Sequence, residues 1–435
     1  MLQTFRNAWK IPDLRKKILF TLVVIIAFRF GGVIPVPFLD VNMLKTIMDQ
    51  MNADGSAVGY LNMLTGEAFS RATLFALGIQ PAITSSIIMQ LLQVAIPPLE
   101  RLAKEGESGR KKIAAITRVV TVGLALVMSV AYYIFLRRQI VEYTSGIAGV
   151  FSAITIILCF TAGSALVMWM GEQINDKGVG NGISMLLFAG IVARLPTTVS
   201  GVAGEISLGI EAGTFSKIIF AVLFVALFLA VIWLIVFMNE AERRVPVQYA
   251  KKVVGRKMYG GQSSFLPIKV AMSGVMPVIF ASSILSIPSM ITMFTAPKEG
   301  GALESVLLTL RSGGWVYCIL YFLLILMFAY FYMSIQYNPL EMANNLRQNN
   351  GTIPGLRPGK PTADFIQKIL SKITLIGALF LAVVAIVPII YGNIAGMQEL
   401  SFGGTSLIIM VNVALETVKT LESQMMMRHY KGFLD

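Results

Sequence analysis

Ten apolar segments recur along the whole chain, separated by polar or basic connections. Each is predicted to form a membrane-spanning helix, because crossing the bilayer core takes about 20 mostly apolar residues. The fifth and tenth segments are short, and short spans normally lie against protein rather than lipid. The predicted spans are residues 18–35, 73–97, 113–136, 149–170, 182–195, 217–238, 268–293, 315–335, 369–391 and 405–420.

The stretch around the second segment, residues 69–93, does not have the pattern of a simple membrane span. Arg71 lies near its start, and Gly78 and Pro81 interrupt its middle. Gly and Pro weaken helical hydrogen bonding, and every polar group in hydrocarbon needs a partner within the protein. This stretch is therefore predicted to form the wall of a cavity or a movable seam. The polar residues on its apolar surface are Gln80, Thr84, Ser85, Ser86, Gln90 and Gln93.

Composition excludes a soluble protein. Hydrophobic residues make up 56% of the chain and charged residues only 14%, whereas soluble domains carry about 25% charged residues. The chain is therefore a polytopic helical membrane protein. Cys159 and Cys318 lie within apolar segments and are expected to be core residues, and His429 is the single histidine. No nucleophile–base pair or metal-ligand spacing occurs, so we expect neither an enzyme nor a bound metal or cofactor.

Lysine and arginine residues are concentrated on alternate sides of the predicted spans. With the N-terminus placed in the cytoplasm, 27 of the 36 basic residues fall on the cytoplasmic side. This bias predicts that both termini are cytoplasmic. Two cytoplasmic loops, residues 239–267 and 336–368, are longer than helix connections require, and loops of that length are usually functional or disordered.

Both long loops are basic, and the second projects Arg357 from a tip rich in glycine and proline, IPGLRPG. A role in membrane topology alone would explain their charge but not their length or their turn residues. We expect them to form a docking surface for an acidic or RNA-containing partner.

Residues 78–88, GIQPAITSSII, match residues 274–284, GVMPVIFASSI, at five of eleven positions without a gap. The first copy lies in the second predicted span and the second copy in the seventh. Because five helices is an odd number, corresponding helices run through the membrane in opposite directions. The repeat predicts two inverted five-helix halves, residues 1–200 and 201–435, around a central pore. Chance similarity between two apolar segments is the alternative.

Branched or flexible apolar residues follow the glycine in each copy of the repeat. They are Ile79 and Ile83 in the first copy, and Val275, Met276 and Ile279 in the second. An apolar constriction can gate a pore by dewetting and can fit around whatever passes. Ordinary helix packing explains each residue singly. Their combination with proline and with flanking serine and threonine favours an unspecific apolar ring around a large, chemically varied solute.

Two long motifs resemble the signatures of the SecY family, the channel subunit of the general protein-export translocase. They are TLFALGIQPAITSSIIMQLLQ at residues 73–93 and WMGEQINDKGVGNGISMLLFAGIV at residues 169–192. The segments KEGESGRKKI, IPGLRPGKPT and GGTSLIIMV extend the resemblance over essentially the whole chain. The resemblance implies a passive channel that translocates unfolded secretory polypeptides across the bacterial plasma membrane and releases transmembrane segments laterally.

The resemblance also implies roles for individual residues. The pore ring would comprise Ile79, Ile83, Ile183, Leu187, Met276 and Ile409. A plug at about residues 59–71 would include Tyr60, Leu61, Leu64, Phe69 and Arg71. The lateral gate would include Ile87, Gln90, Gln93, Ile279, Ser282 and Ser283. Partner docking would involve Arg243, Arg244, Lys251, Lys252, Arg256, Lys257, Arg357 and Lys360.

The partners that the resemblance implies are SecE, which would brace the two halves, a peripheral SecG, and signal sequences with their secretory chains. Energy would come from a docked SecA ATPase or a translating ribosome, so nucleic acid would be contacted only through ribosomal RNA. The chain has no phosphate-binding Gly-Lys-Ser/Thr loop and is not expected to hydrolyse nucleotide. Two other functions fit a polytopic inverted repeat: a secondary transporter for a small solute, and a scaffold that assembles other membrane proteins.

Overall fold

The computed structural model describes residues 2–40, 43–44, 65–66, 68–137, 141, 146–211, 215–249, 252–254, 257–259, 263–272, 274–295, 314–395 and 404–431. Each of the ten predicted spans coincides with a helix in this part of the chain. The helices of the N-terminal part are α1 (Leu2–Lys10), α2 (Pro12–Gly31), α3 (Gln80–Ala95), α4 (Pro97–Lys104), α5 (Glu107–Arg137), α6 (Gly146–Lys177), α7 (Gly182–Val192) and α8 (Leu195–Glu211).

The C-terminal part adds six helices and five short strands among the described residues. The helices are α9 (Phe215–Glu240), α10 (Met276–Thr295), α11 (Trp315–Gln336), α12 (Pro339–Gln348), α13 (Lys360–Ala395) and α14 (Gly404–Lys431). The strands are β1 (Glu242–Tyr249), β2 (Lys252–Val254), β3 (Lys257–Tyr259), β4 (Ser263–Lys269) and β5 (Gly351–Thr352).

Length and composition identify the helices that can cross a membrane. Seven helices of the described residues qualify, and an eighth qualifies if α3 and α4, which meet at a bend of 102°, count as one broken span. The two predicted spans that remain correspond to α2 and to α10, whose apolar part is shorter. The prediction of a helical multi-pass membrane protein is therefore confirmed.

The helices pack in the same order in both parts of the chain. In the first part α3 packs against α5, α5 against α6, and α6 against α7. In the second part α10 packs against α11, α11 against α13, and α13 against α14. Each set of four contains the second to fifth predicted spans of its half, so the repeated packing agrees with the repeat in the sequence.

Several element boundaries differ from the sequence-based prediction. The seventh span was predicted to begin at residue 268, but β4 extends to Lys269 and α10 begins at Met276. The tenth span was predicted to be short, but α14 is 28 residues long, because its amphipathic end continues beyond the apolar part and packs against α1. The predicted N-terminal tail forms helix α1, which buries Ala8 against Leu421 of α14.

The two long loops that are predicted to be cytoplasmic contribute strands to one sheet, which with its apolar cluster is here called the cytoplasmic sheet unit after that prediction. Strand β1 lies between β4 and β5, antiparallel to both, and β5 belongs to the second loop. Alternation along β1 buries Val245 and Val247 and exposes their neighbours. These valines share an apolar cluster with Leu346 of α12 and with Ile366 and Leu370 of α13. The all-helical prediction did not include this sheet.

Close helix packing around Gly163 yields a first prediction. A Cβ atom at Gly163 of α6 would lie 1.9 Å from the carbonyl oxygen of Leu74, whereas a Cβ atom at Gly123 of α5 would have no neighbour within 4 Å. Gly163→Ala should therefore destabilise the protein by roughly 1–3 kcal/mol through overpacking. Gly123→Ala should be neutral or stabilise it by up to about 1 kcal/mol, as alanine does in a helix interior. Melting temperatures in detergent test both, and equal values for the two variants would contradict the packing.

Candidate functional site

The glycine and proline of the repeat begin helices rather than break them. Gly78 has φ +52° and Gly274 has φ +56°, a conformation that favours glycine. In both copies the helix starts two residues later, at Gln80 and Met276, and proline occupies its second position. Proline is tolerated in the first turn because no intrahelical acceptor awaits its missing N–H. The prediction that Gly78 and Pro81 interrupt a helix was therefore wrong, but the match between the two copies is confirmed in the backbone.

Residues 68–79, here called the approach segment, precede α3 as a series of turns. Because α3 has only 16 residues and rises about 24 Å, the approach segment completes the second span. Its backbone is paired with neighbouring elements: Leu74 N donates to Ile34 O at 2.9 Å, and Val36 N donates to Ala72 O at 3.1 Å. The Ser164 hydroxyl of α6 donates to Gly78 O at 3.3 Å.

The side chains of the approach segment are buried on two sides. Phe75 stacks on Phe28 of α2, with ring centroids 5.8 Å apart, and occupies the space beside Gly31. On the other side Phe69 stacks on Tyr132 of α5 at 4.4 Å. The approach segment is thus packed between α2, α5 and α6. Sequence reasoning missed Phe28 and Tyr132, although aromatic residues near span ends were a visible signal.

Thr65 and Gly66 lie between the approach segment and α7. The Phe69 amide donates to the Thr65 hydroxyl at 3.2 Å, and a Cβ atom at Gly66 would lie 2.9 Å from Gly190 O of α7. Of the predicted plug residues, Phe69 is buried and Arg71 is exposed. Tyr60, Leu61 and Leu64 lie outside the described residues.

The predicted ring residues belong to one apolar cluster. Four of them are buried within it, and two are half-buried and pack against it. The buried four are Ile79, Ile83, Leu187 and Ile409, and the half-buried two are Ile183 and Met276. The cluster therefore joins residues of α3, α7, α10 and α14, which come from both halves of the chain.

The predicted gate residues lie along α3 and α10. Ile87 and Ile279 are buried in the same apolar cluster, while Gln90 and Gln93 are half-buried. Buried Ser282 donates to Ile279 O within its own helix, at 3.0 Å, and Ser283 is half-buried one residue further along α10.

Hydroxyl groups of α3 find partners that suit a helix within protein. Ser85 donates to Thr117 O of α5 at 2.9 Å and so ties α3 to α5. Thr84 and Ser86 donate to carbonyl oxygens of their own helix. These three hydroxyl groups are thus hydrogen-bonded within the protein, as polar groups at membrane depth require.

Four of the predicted docking residues lie on or beside the cytoplasmic sheet unit. Arg243 and Arg244 are exposed on β1, and Arg244 pairs with Glu242 at 2.7 Å. Exposed Arg357 lies in a turn between two glycines of positive φ, and its carbonyl accepts a hydrogen bond from Thr362 at 2.8 Å. Exposed Lys360 begins α13. Lys252 and Lys257 belong to β2 and β3, whereas Lys251 and Arg256 lie outside the described residues.

An ion pair joins two neighbouring spans: Glu172 of α6 accepts from Arg118 of α5 at 2.6 Å. Among the described residues no three His, Cys, Asp or Glu side chains come close enough together to hold a metal ion.

The family model described as SecY matches residues 73–418. The chain belongs to the SecY family. A relative named Protein translocase subunit SecY, from Streptomyces coelicolor, is 43% identical over 100% of both chains. Another of that name, from Corynebacterium glutamicum, is 42% identical over 98% of this chain and 99% of the relative.

Solved channel structures share the fold of this SecY-family chain. One described as "The structure of a protein conducting channel" matches with a TM-score of 0.62 and 18% identity, over 94% of this chain and 92% of that one. Sec61 in a canine ribosome–channel complex from the endoplasmic reticulum matches with a TM-score of 0.58 and 16% identity, over the same shares. The SecY-family resemblance seen in the motifs is thereby confirmed.

The two repeat glycines yield a second prediction. Alanine at either position is strained by roughly 1–2 kcal/mol because φ is positive. At Gly78 the added Cβ would also lie 2.9 Å from Thr65 Cγ2, whereas at Gly274 it would meet nothing within 4 Å. Gly78→Ala should therefore lower the melting temperature more than Gly274→Ala does.

Thr65→Ser removes the clashing methyl group but keeps the hydroxyl that accepts from Phe69. The double variant Gly78→Ala/Thr65→Ser should therefore melt close to Gly274→Ala. Failure of Thr65→Ser to recover any stability would show that Thr65 does not lie against Gly78.

Proposed function

We propose that this chain is the protein-conducting channel of a bacterial translocase. It passes unfolded secretory polypeptides across the plasma membrane and releases transmembrane segments sideways into lipid. The observation that carries the proposal is that the non-helical approach segment leads into the apolar cluster: Phe75 and Ile79 belong to that cluster, and Thr65 lies beside Gly78. A non-helical segment beside an apolar constriction suits a removable seal. A small-solute transporter would instead present polar groups to its substrate at the constriction.

The apolar ring seals the channel. Isoleucine, leucine and methionine side chains offer a soft, unspecific surface that fits around chemically varied segments and excludes water when empty. The ring consists of Ile79, Ile83, Ile183, Leu187, Met276 and Ile409. Val275 and Ile279, from the second copy of the repeat, pack beside the ring and support it there.

The plug, residues 59–71, closes the outer side of this ring, and Arg71 lies at its exposed end. The lateral gate opens between α3 with α5 on one side and α10 with α11 on the other. A signal sequence intercalates along Ile87, Gln90 and Gln93 on one side and Ile279, Ser282 and Ser283 on the other. Opening of the gate then moves the plug away from the ring.

The cytoplasmic sheet unit is the docking surface for the partner that drives transport, a SecA ATPase or a translating ribosome. Its exposed arginines suit an acidic protein surface or ribosomal RNA. Two structural neighbours, Sec61 and yeast Ssh1, are described in complexes with ribosomes. SecE and SecG complete the assembly in the plasma membrane, with both termini of this chain in the cytoplasm.

A photoreactive cross-linker at residue 83 tests conduction. In membranes engaged on a stalled secretory chain, the probe should trap that chain, because residue 83 lines the path. The same probe at Leu158, which is exposed on α6, provides the control and should label lipid or nothing. Trapping of a small solute would favour a transporter. No adduct at either position would favour a scaffold.

Charge reversal at Arg357 tests docking. Arg357 is exposed, so Arg357→Glu should change folding stability by no more than about 0.5 kcal/mol. It should nevertheless abolish motor-driven export, since it places a negative charge at the docking tip. Lys368→Glu changes the net charge equally on the exposed side of α13 and should export nearly normally. Normal SecA-stimulated translocation by the Arg357 variant would refute the docking role.

A further inference from the structure

Tyr132 of α5 makes the most direct contact between a gate helix and the approach segment. Its hydroxyl donates to Phe69 O at 2.6 Å, and its ring stacks on the Phe69 ring at 4.4 Å. Both residues are only 4% exposed. Phe160 of α6 lies on Tyr132 as well, with ring centroids 5.1 Å apart, and holds it from behind. These contacts hold the Tyr132 side chain in the position from which its hydroxyl reaches the Phe69 carbonyl.

Helix α5 also borders the proposed gate. Nearer its N-terminal end, Thr117 O accepts from Ser85 of α3, so α3 and α5 are joined. Helix α10 contacts α5 as well. Any separation of α5 from α10 therefore acts on the helix that carries Tyr132.

Phe69 connects Tyr132 to residues near the apolar ring. Its amide donates to the Thr65 hydroxyl, so Phe69 is held through its carbonyl by α5 and through its N–H by Thr65. The Thr65 methyl group packs beside Gly78, and Gly66 lies beside Gly190 of α7. The two hydrogen bonds thus run from α5 to Thr65, which packs beside Gly78, the neighbour of the predicted ring residue Ile79.

We propose that Tyr132 is the positioning residue that couples the lateral gate to the plug: its hydrogen bond to Phe69 O keeps the plug end seated until α5 moves. This inference rests on the channel function proposed above.

Tyr132→Phe tests the coupling because it removes the hydroxyl and keeps the ring. Loss of one buried hydrogen bond should shift the balance between seated and displaced plug about fivefold. Reconstituted vesicles should therefore leak ions about fivefold faster at rest. Secretory chains with defective signal sequences should be accepted more often by a similar factor.

Tyr391→Phe is the matched control. Tyr391 is a half-buried tyrosine of α13 whose hydroxyl donates to Phe220 O of α9, and neither of these helices belongs to the proposed gate. Both variants should melt at lower temperature, but only Tyr132→Phe should leak and relax signal selection. Equal leak from the two variants would reduce Tyr132 to a general packing role. Leak at the unchanged level from Tyr132→Phe would refute the coupling.

The resting ion leak requires no secretory chain, so it separates this inference from the channel function. If the unchanged protein traps no secretory chain at residue 83, the channel proposal fails and the coupling fails with it. If the chain is trapped and Tyr132→Phe behaves like the unchanged protein, the channel stands and the coupling alone is wrong.

Discussion

The structure depends on one constraint: irregular backbone at membrane depth must be hydrogen-bonded inside the protein. Each unsatisfied backbone group in hydrocarbon costs several kcal/mol, so a non-helical stretch there needs a protein wall around it. The approach segment is such a stretch. Strand-like pairing with residues 34–36 and side chains from α5 and α6 supply the partners that its turns lack. Helices α2, α5 and α6 must therefore stay close together, and the pore forms around what they hold.

The same constraint explains why sequence reasoning found the site but misjudged its shape. Gly78, Pro81 and the polar residues after them break the apolar pattern, so the chain signals an unusual second span. The pattern does not say whether glycine and proline interrupt a helix or start one, because both residues serve both purposes. Only the positive φ of Gly78, shared with Gly274, decides that they start one.

Other features were predictable to different degrees. The predicted ring residues Ile83 and Ile409 are far apart in sequence, and the family motifs rather than the hydrophobic pattern brought them together. The cytoplasmic sheet could not be foreseen from periodicity, because only Val245 and Val247 of β1 alternate into a core and their partners come from a distant loop. Tyr132 is visible in the sequence only as an aromatic residue near the end of a span, since the carbonyl to which it bonds lies 63 residues earlier in the chain.

Unequal contact between the halves determines where such a protein can open. On one side α14 packs along α7, and α1 adds a further contact with the end of α14. On the other side, within the described residues, the contact between α10 and α5 is slight by comparison. Local opening follows the regions with few buried contacts. The proposed seam between α5 and α10 is therefore expected to separate before the side held by α14, and α5 is also the helix whose Tyr132 bonds to the approach segment.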